Sequence, residues 1–350
     1  MTTSVFEHPW LKGLFGDAQM AAVLAPERQL AHMLAFEAAW SRACGAAGLF
    51  DADDAAQAAE AIENATIDPA ILERGMASDG VPVPALVQHL KTIAPANAVH
   101  KGATSQDVVD TALVLSLREA SILISDRLEE LERHLRDLEV RFGDNNMMGR
   151  TRMQAATTMA VRERVLEWRL PIADHLITLN QKRRDVEKVQ IGGASGDRKA
   201  LGDKAAAVVD HVAKELDLAA TDKAWHAMRH GIAGYASFLS LITGTLGKMG
   251  LDVTLMAQQG IDEIALSGGG GSSAMPHKQN PISAELLVTL ARFNAVQVSA
   301  MHHAVIHEQE RSGTAWTLEW MVLPQMLMTT ARALSVAIDM TQKIDRIGTR

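Results

Sequence analysis

At 350 residues, 47% hydrophobic and 22% charged, the chain has a globular composition and enough length to bury a sizeable core. The net charge of −8, without a long Lys/Arg block, argues against nucleic acid as a partner; a small anion can still find a local cationic pocket. The single cysteine, Cys44, excludes a disulfide framework and a thiolate metal cluster; with no leader-like opening and no long apolar run, the chain reads as cytoplasmic, with no membrane partner.

Taken in chain order, the pattern is helical nearly throughout, with no alternating β-branched run bounded by turns. Before residue 105 the helices are short and separated by turn signals such as DPA (68–70) and DGVPVP (79–84), which predicts a small N-terminal helical domain over 1–105. Residues 107–142 form the clearest helix. Leu117, Ala120, Ile124, Leu128, Leu131, Leu135, Leu138 and Phe142 step by three and four and draw one apolar stripe. Such a helix is about 50 Å long, which suits a long bundle packed against other subunits. Further helical patterns cover 159–190, with Pro171 as a kink, then 197–217, 231–262, 282–311 and 315–345. The fold class is therefore all-α: a long-helix bundle over 106–350 behind the N-terminal domain, with no separate C-terminal domain.

Polar, Gly-marked interruptions lie at the helix ends, where a bundle can build a site. In VHKGATSQDVVD (99–110), Thr104 and Ser105 precede Asp107; they read as a helix cap and also as a carboxylate site. In GRTRMQ (149–154), Arg150 and Arg152 flank Thr151, which suits an anion clamp at a helix start or a solvated face. SGGGGSSAMPHKQNP (267–281) joins four glycines to a restrictive segment. Asn280 is expected as N-cap and Pro281 at the first helical position, so free N–H groups and Lys278 would cradle an anion below a glycine lid. A plain interhelix linker is the alternative reading. His303 and His307 stand at i,i+4 but lack a third ligand, so no metal site is expected. QIGGASGD (190–197) follows a helix rather than a strand, which sets aside a phosphate cradle.

With these residues assembled, the chain resembles the fumarase/aspartase superfamily. GSSAMPHKQN followed by Glu285 matches its signature G-S-S-x-M-P-x-K-x-N plus Glu. GATSQD resembles its G-x-T-S-x-D block and GRTRMQ its G-R-T-H-x-Q block, with Arg152 where most members carry histidine. QIGGASGDRKALG (190–202), the stretch 225–250 and EQERSGTAWTLEW (308–320) resemble the muconate-lactonizing branch in particular. Relatives usually add a third helical domain of about a hundred residues.

The resemblance implies a homotetramer with active sites shared by three subunits, and closure of 3-carboxy-cis,cis-muconate, or of a 3-sulfo analogue, to a muconolactone in aromatic-compound catabolism. The other reading is a fumarate-releasing lyase of the argininosuccinate or adenylosuccinate type. For the ring closure, the resemblance implies Ser272 as proton donor, with Lys278, Asn280 and the Ser273 region stabilising charge, and His277 and Glu285 orienting them. Thr104, Ser105, Arg150 and Arg152 would hold carboxylates; His100 contacts substrate or merely flanks the helix. Thr151, Gln154 and Met275 fall within the same blocks and are counted with the substrate-binding residues. No metal or organic cofactor is called for.

Overall fold

The computed structural model describes residues 4–268, 270–271, 275 and 279–349. The chain opens on α1 (Lys12–Phe15), α2 (Ala18–Val23), α3 (Pro26–Ala46), α4 (Ala52–Glu63), α5 (Pro69–Asp79) and α6 (Val83–Ile93), all short except α3, which at 21 residues departs from the expected run of short helices. Local chemistry sets their ends. The Asp51 carboxylate accepts the Asp53 and Asp54 N–H groups at the start of α4. Asp68 caps α5 with Pro69 at its first position, and Gly80 ends it at φ +71°. Phe36, Trp40, Ile62, Leu86 and Leu90 are fully buried between these helices. The same core takes in Val208, Val209 and Val212 of a later helix, α9 (Ala205–Glu215), so the chain returns to its N-terminal unit. Cys44 lies in this core, and burial, reinforced by Glu37, pushes its thiol up to about 12.

The bundle consists of α7 (Ser105–Phe142), α8 (Val161–Val186), α10 (His230–Met256), α11 (Ile282–His303) and α12 (Gly313–Gln342). Seven of the eight predicted stripe residues of α7, Leu117 to Leu138, are buried, and Phe142 packs half-buried at the end. Burying each large side chain contributes about 1.5–3 kcal/mol. Arg162 bonds Glu139 and Arg169 bonds Glu132, an order that makes α8 antiparallel to α7. Gly247 and Gly250 allow α11 to lie close on α10: a Cβ at Gly250 would stand 2.5 Å from the Ala284 carbonyl oxygen. By length and composition α12 is long and apolar enough to cross a membrane, but 72% of its most apolar stretch is buried inside the protein, as in a core helix.

Two small sheets join the helices. Strands β1 (Asn146–Thr151) and β2 (Gln154–Ala160) form an antiparallel hairpin, and β3 (Ile264–Leu266) pairs with β4 (Ile344–Ile347). The first corrects the expected helix start at GRTRMQ. Glu263 accepts the Met148 N–H and pairs with Arg150, holding the segment extended against the end of α10. Asn280 is not an N-cap either. Its backbone exchanges two hydrogen bonds with Gly270, and Pro281 occupies the N-cap position. Hairpin, β3–β4 pair, the Gly270–Asn280 pairing and the start of α11 thus share one end of the bundle.

Candidate active site

At the opposite end, Thr104 is the N-cap of α7. Asp107, fully buried, accepts four hydrogen bonds: from Thr104 N–H (3.1 Å), Gly192 N–H (2.8 Å), Gly193 N–H (3.0 Å) and His226 Nε2 (2.8 Å). The first turn of α7 is thereby pinned to the 190–193 turn. The Ser105 and Gln106 N–H groups, at the first two helical positions, have no acceptor within the helix and carry its positive dipole end. Arg311 donates to Thr104 Oγ1 at 3.1 Å. His100 sits beside this turn with its Nδ1 2.6 Å from Glu37 Oε1. Burial alone would lower the His100 pKa, but the Glu37 carboxylate outweighs it and holds it above 6.5.

One helical turn further on, Asp110 is also fully buried. It accepts from Arg229 Nη1 (2.6 Å) and Nη2 (3.1 Å), Trp316 Nε1 (2.9 Å), Gln106 Nε2 (3.0 Å) and Gln190 Nε2 (3.2 Å). Arg229 binds Glu319 as well and lies 4.8 Å from the Trp225 ring. Burial raises the Glu319 pKa; Arg229 opposes this in part. Stretches 190–202, 225–250 and 308–320 all reach this point. It is a buried hub that fixes the geometry of the α7 start.

The second block lies far away. The whole of α7, 38 residues and so about 57 Å, separates Thr104 from the hairpin. Thr151 pairs with Gln154, leaving Arg152 (φ +49°) and Met153 (φ +66°) as a two-residue turn, both left-handed and exposed. This hairpin turn ordinarily takes Asn-Gly, and a side-chain-bearing residue such as Arg or Met in it costs on the order of 1 kcal/mol each. Arg150 is paired with Glu263 at 2.6 Å, so its charge is already engaged within the chain. Arg150, Arg152 and Glu263 border an open cleft between the hairpin, α8 and the end of α10.

The third block is described only in part. Ser272, Ser273, His277 and Lys278 lie outside the described residues. Met275 is exposed, Asn280 closes the segment against Gly270, and Glu285 stands exposed in the first turn of α11. A Cβ at Gly270 would lie 2.1 Å from Ile282 Cδ1, so a side chain there would have to displace the exposed Ile282 tip. His303 and His307 belong to no cluster of metal-ligand type among the described residues.

A family model described as lyase matches residues 17–297, most of the chain and all three blocks. The chain belongs to the fumarase/aspartase lyase superfamily. Within it, the chain is 36% identical over 340 residues to a 3-carboxy-cis,cis-muconate cycloisomerase of Pseudomonas aeruginosa, covering 95% of this chain and 74% of that one. The 3-carboxy-cis,cis-muconate lactonizing enzyme of Pseudomonas putida superposes with a TM-score of 0.89 at 32% identity, over 96% of this chain and 77% of that one. A fumarate lyase from a Mesorhizobium species matches with a TM-score of 0.88 at 28% identity, over 95% and 76%.

In this superfamily member the sequence pointed to Thr104, Ser105 and His100, which the structure gathers at one end, and to Arg150, Thr151, Arg152 and Gln154, which it places at the other. Reading the residues missed Asp110, His226, Arg229, Arg311 and Glu319, and saw in Asp107 only a capping partner. A signal was present: Asp110 and Asp107 continue the α7 stripe backward from Leu117 in steps of seven and three, so both carboxylates had to be buried and paired.

Proposed function

We propose that the chain is a cycloisomerase that closes 3-carboxy-cis,cis-muconate, or its 3-sulfo analogue, to the corresponding muconolactone. The 36% identity to the Pseudomonas aeruginosa cycloisomerase over nearly the whole chain carries this reading. One carboxylate oxygen adds to a double bond conjugated with another carboxylate, and two negative charges gather on one group. Donors aimed at that group are the largest catalytic contribution available. Lys278, Asn280 and the Ser273 region take that role, with His277 and Glu285 orienting them. Ser272 delivers the proton to the neighbouring carbon. Thr104, Ser105 and Arg152 hold the remaining anionic groups, with Arg150, Thr151, Gln154, Met275 and His100 around them.

The site is assembled from several copies of the chain. No small substrate touches Thr104 and Arg152 of one chain across a helix of about 57 Å, so the blocks must come from different subunits. Exposed apolar residues along the bundle support a homotetramer: Val140 on α7, Ile177 on α8, Leu241 on α10, Val296 on α11 and Met321 on α12. We keep 1–105 and 106–350 as the two units, with α9 returning to the first.

The likeness to a fumarate lyase favours one alternative, release of fumarate from argininosuccinate or adenylosuccinate. A spectrophotometric assay separates the two. Loss of diene absorbance with 3-carboxymuconate or 3-sulfomuconate supports the cycloisomerase; fumarate appearing from either succinate adduct, with both dienes untouched, overturns it.

A further inference from the structure

A cavity of about 420 Å³ lies where α3 and α5 of the N-terminal unit meet α7 and α12 of the bundle. That is the size of a small-molecule site. Its floor is made by Ala112 and Ser116 of α7 and by Glu319 and Leu323 of α12, all buried. Met76 of α5 stands exposed at its mouth. Ala112 and Ser116 lie about 12 and 18 Å along α7 from Thr104, and none of the residues proposed above to hold substrate lines the cavity.

The lining selects its guest. It is mainly apolar and holds no Lys, Arg or His, so an anion finds no counter-charge there. Its one charged side chain, Glu319, already carries Arg229, so a cation finds that charge engaged. Ser116 is 3% exposed, and its hydroxyl has no hydrogen-bond partner among the described residues. A buried hydroxyl left unmatched is destabilising, and a guest that bonds it relieves that cost. Pro324, inside α12, supplies no N–H to the Trp320 carbonyl one turn earlier, which leaves a second wall residue short of a donor. The half-buried Trp320 ring packs edge-on against Trp316 at 4.6 Å, and Trp316 is bonded to Asp110, so an aromatic wall is in place before a guest arrives.

We propose that this cavity is a second ligand site, for a small uncharged aromatic alcohol whose rings pack against Trp320 and whose hydroxyl bonds Ser116. The assignment is independent of the reaction proposed above. Glu319 belongs both to the cavity floor and to the Arg229 hub, so an occupant stabilises the fold where the N-terminal unit meets the bundle.

The test is equilibrium dialysis of the assembled protein against 2-naphthol, and against naphthalene as the same body without the hydroxyl. Wild type should bind one 2-naphthol per chain, saturably and more tightly than naphthalene. Ser116→Ala should weaken 2-naphthol by about threefold to tenfold, the scale of a neutral hydrogen bond, and leave naphthalene unchanged. Its melting temperature without ligand should not fall, because the lost hydroxyl had no partner. Ala112→Leu fills the floor and should abolish binding of both compounds; Met76→Trp narrows the mouth without entering the core and should weaken both. No saturable binding to wild type, naphthalene binding as tightly as 2-naphthol, an equal loss of both in Ser116→Ala, or 2-naphthol affinity unchanged in Met76→Trp and Ala112→Leu overturns the proposal.

A second arm reads stability. At a 2-naphthol concentration about ten times its Kd for wild type, the wild-type melting temperature should rise by a few degrees, and that of Ser116→Ala by less at the same concentration. An equal rise in both, or none in wild type, overturns the assignment. Neither arm measures turnover, so a failure here leaves the cycloisomerase reading standing, and inactivity toward muconates leaves this site standing.

Discussion

At the start of α7, the buried carboxylates are matched within one chain. Asp107 accepts four hydrogen bonds, and Asp110 accepts five from Arg229, Trp316, Gln106 and Gln190. At the hairpin end, Arg152 and Met153 stand exposed in left-handed conformations at the tip of a two-residue turn. The first arrangement is complete before any partner arrives and is held by buried charge. The second carries backbone strain and points away from its own core. In the multi-subunit site proposed above, the first end would provide a fixed floor and the second a piece delivered to a neighbour. This contrast explains how so much polarity is buried at one end of an otherwise apolar bundle.

The sharpest way to break the comparison is to remove the hub. Arg229→Met leaves Asp110 and Glu319 buried without their cation and should cost about 3–5 kcal/mol of stability, read from chemical denaturation of the assembled protein. A midpoint close to wild type would mean that the floor does not depend on that pairing. Ser272→Ala should cut turnover by about a hundredfold or more while substrate still binds, because a proton donor acts on the barrier. Near-normal turnover removes Ser272 from the acid role.

The hairpin offers a smaller, two-sided effect. Replacing Arg152–Met153 by Asn-Gly removes strain on the order of 1 kcal/mol per residue, so the protein should melt a few degrees higher. The same change removes the tip cation, so KM for the anionic substrate should rise. A higher melting point with unchanged KM would make the tip a structural turn only. The smallest effect concerns His100. Its pKa is raised in the folded protein by Glu37, against the opposing influence of burial. The pair therefore stabilises fully below about pH 6.5, and this contribution is lost as pH rises through the elevated folded value. Glu37→Gln should flatten that part of the melting-temperature profile; an identical slope in the variant would exclude the pair as its source.

Much of the architecture was legible because periodicity reports burial directly. The stripe from Leu117 to Leu138 places α7, and DPA and DG mark the cap and stop of α5. Elsewhere local rules lost to tertiary contacts. MMGRT and QAATTMA lack the β-branched alternation of a strand, yet Glu263, more than a hundred residues later, holds the hairpin open. Asn280–Pro281 has the local form of a helix start, but pairing with Gly270 satisfies both backbone groups of Asn280 and moves the helix on to Ile282. The three blocks were visible as motifs, whereas their separation was not, because spacing along a chain says nothing of which helix end each block occupies. Arg311 was hidden for a similar reason: its partners Thr104 and Gly193 are distant in sequence and neutral, so no charge pattern announces them.

The span of α7 also restricts what insertions and deletions the protein tolerates. One residue added in its middle would shift the far end by about 1.5 Å and swing it roughly 100° about the axis, turning half of the stripe toward solvent. Both working ends would then be out of register with α8, α10, α11 and α12 at once. Length variation should therefore collect in the connecting segments, at 143–145, 217–224 and 304–312, while the five rods keep their residue counts even where their surface side chains drift.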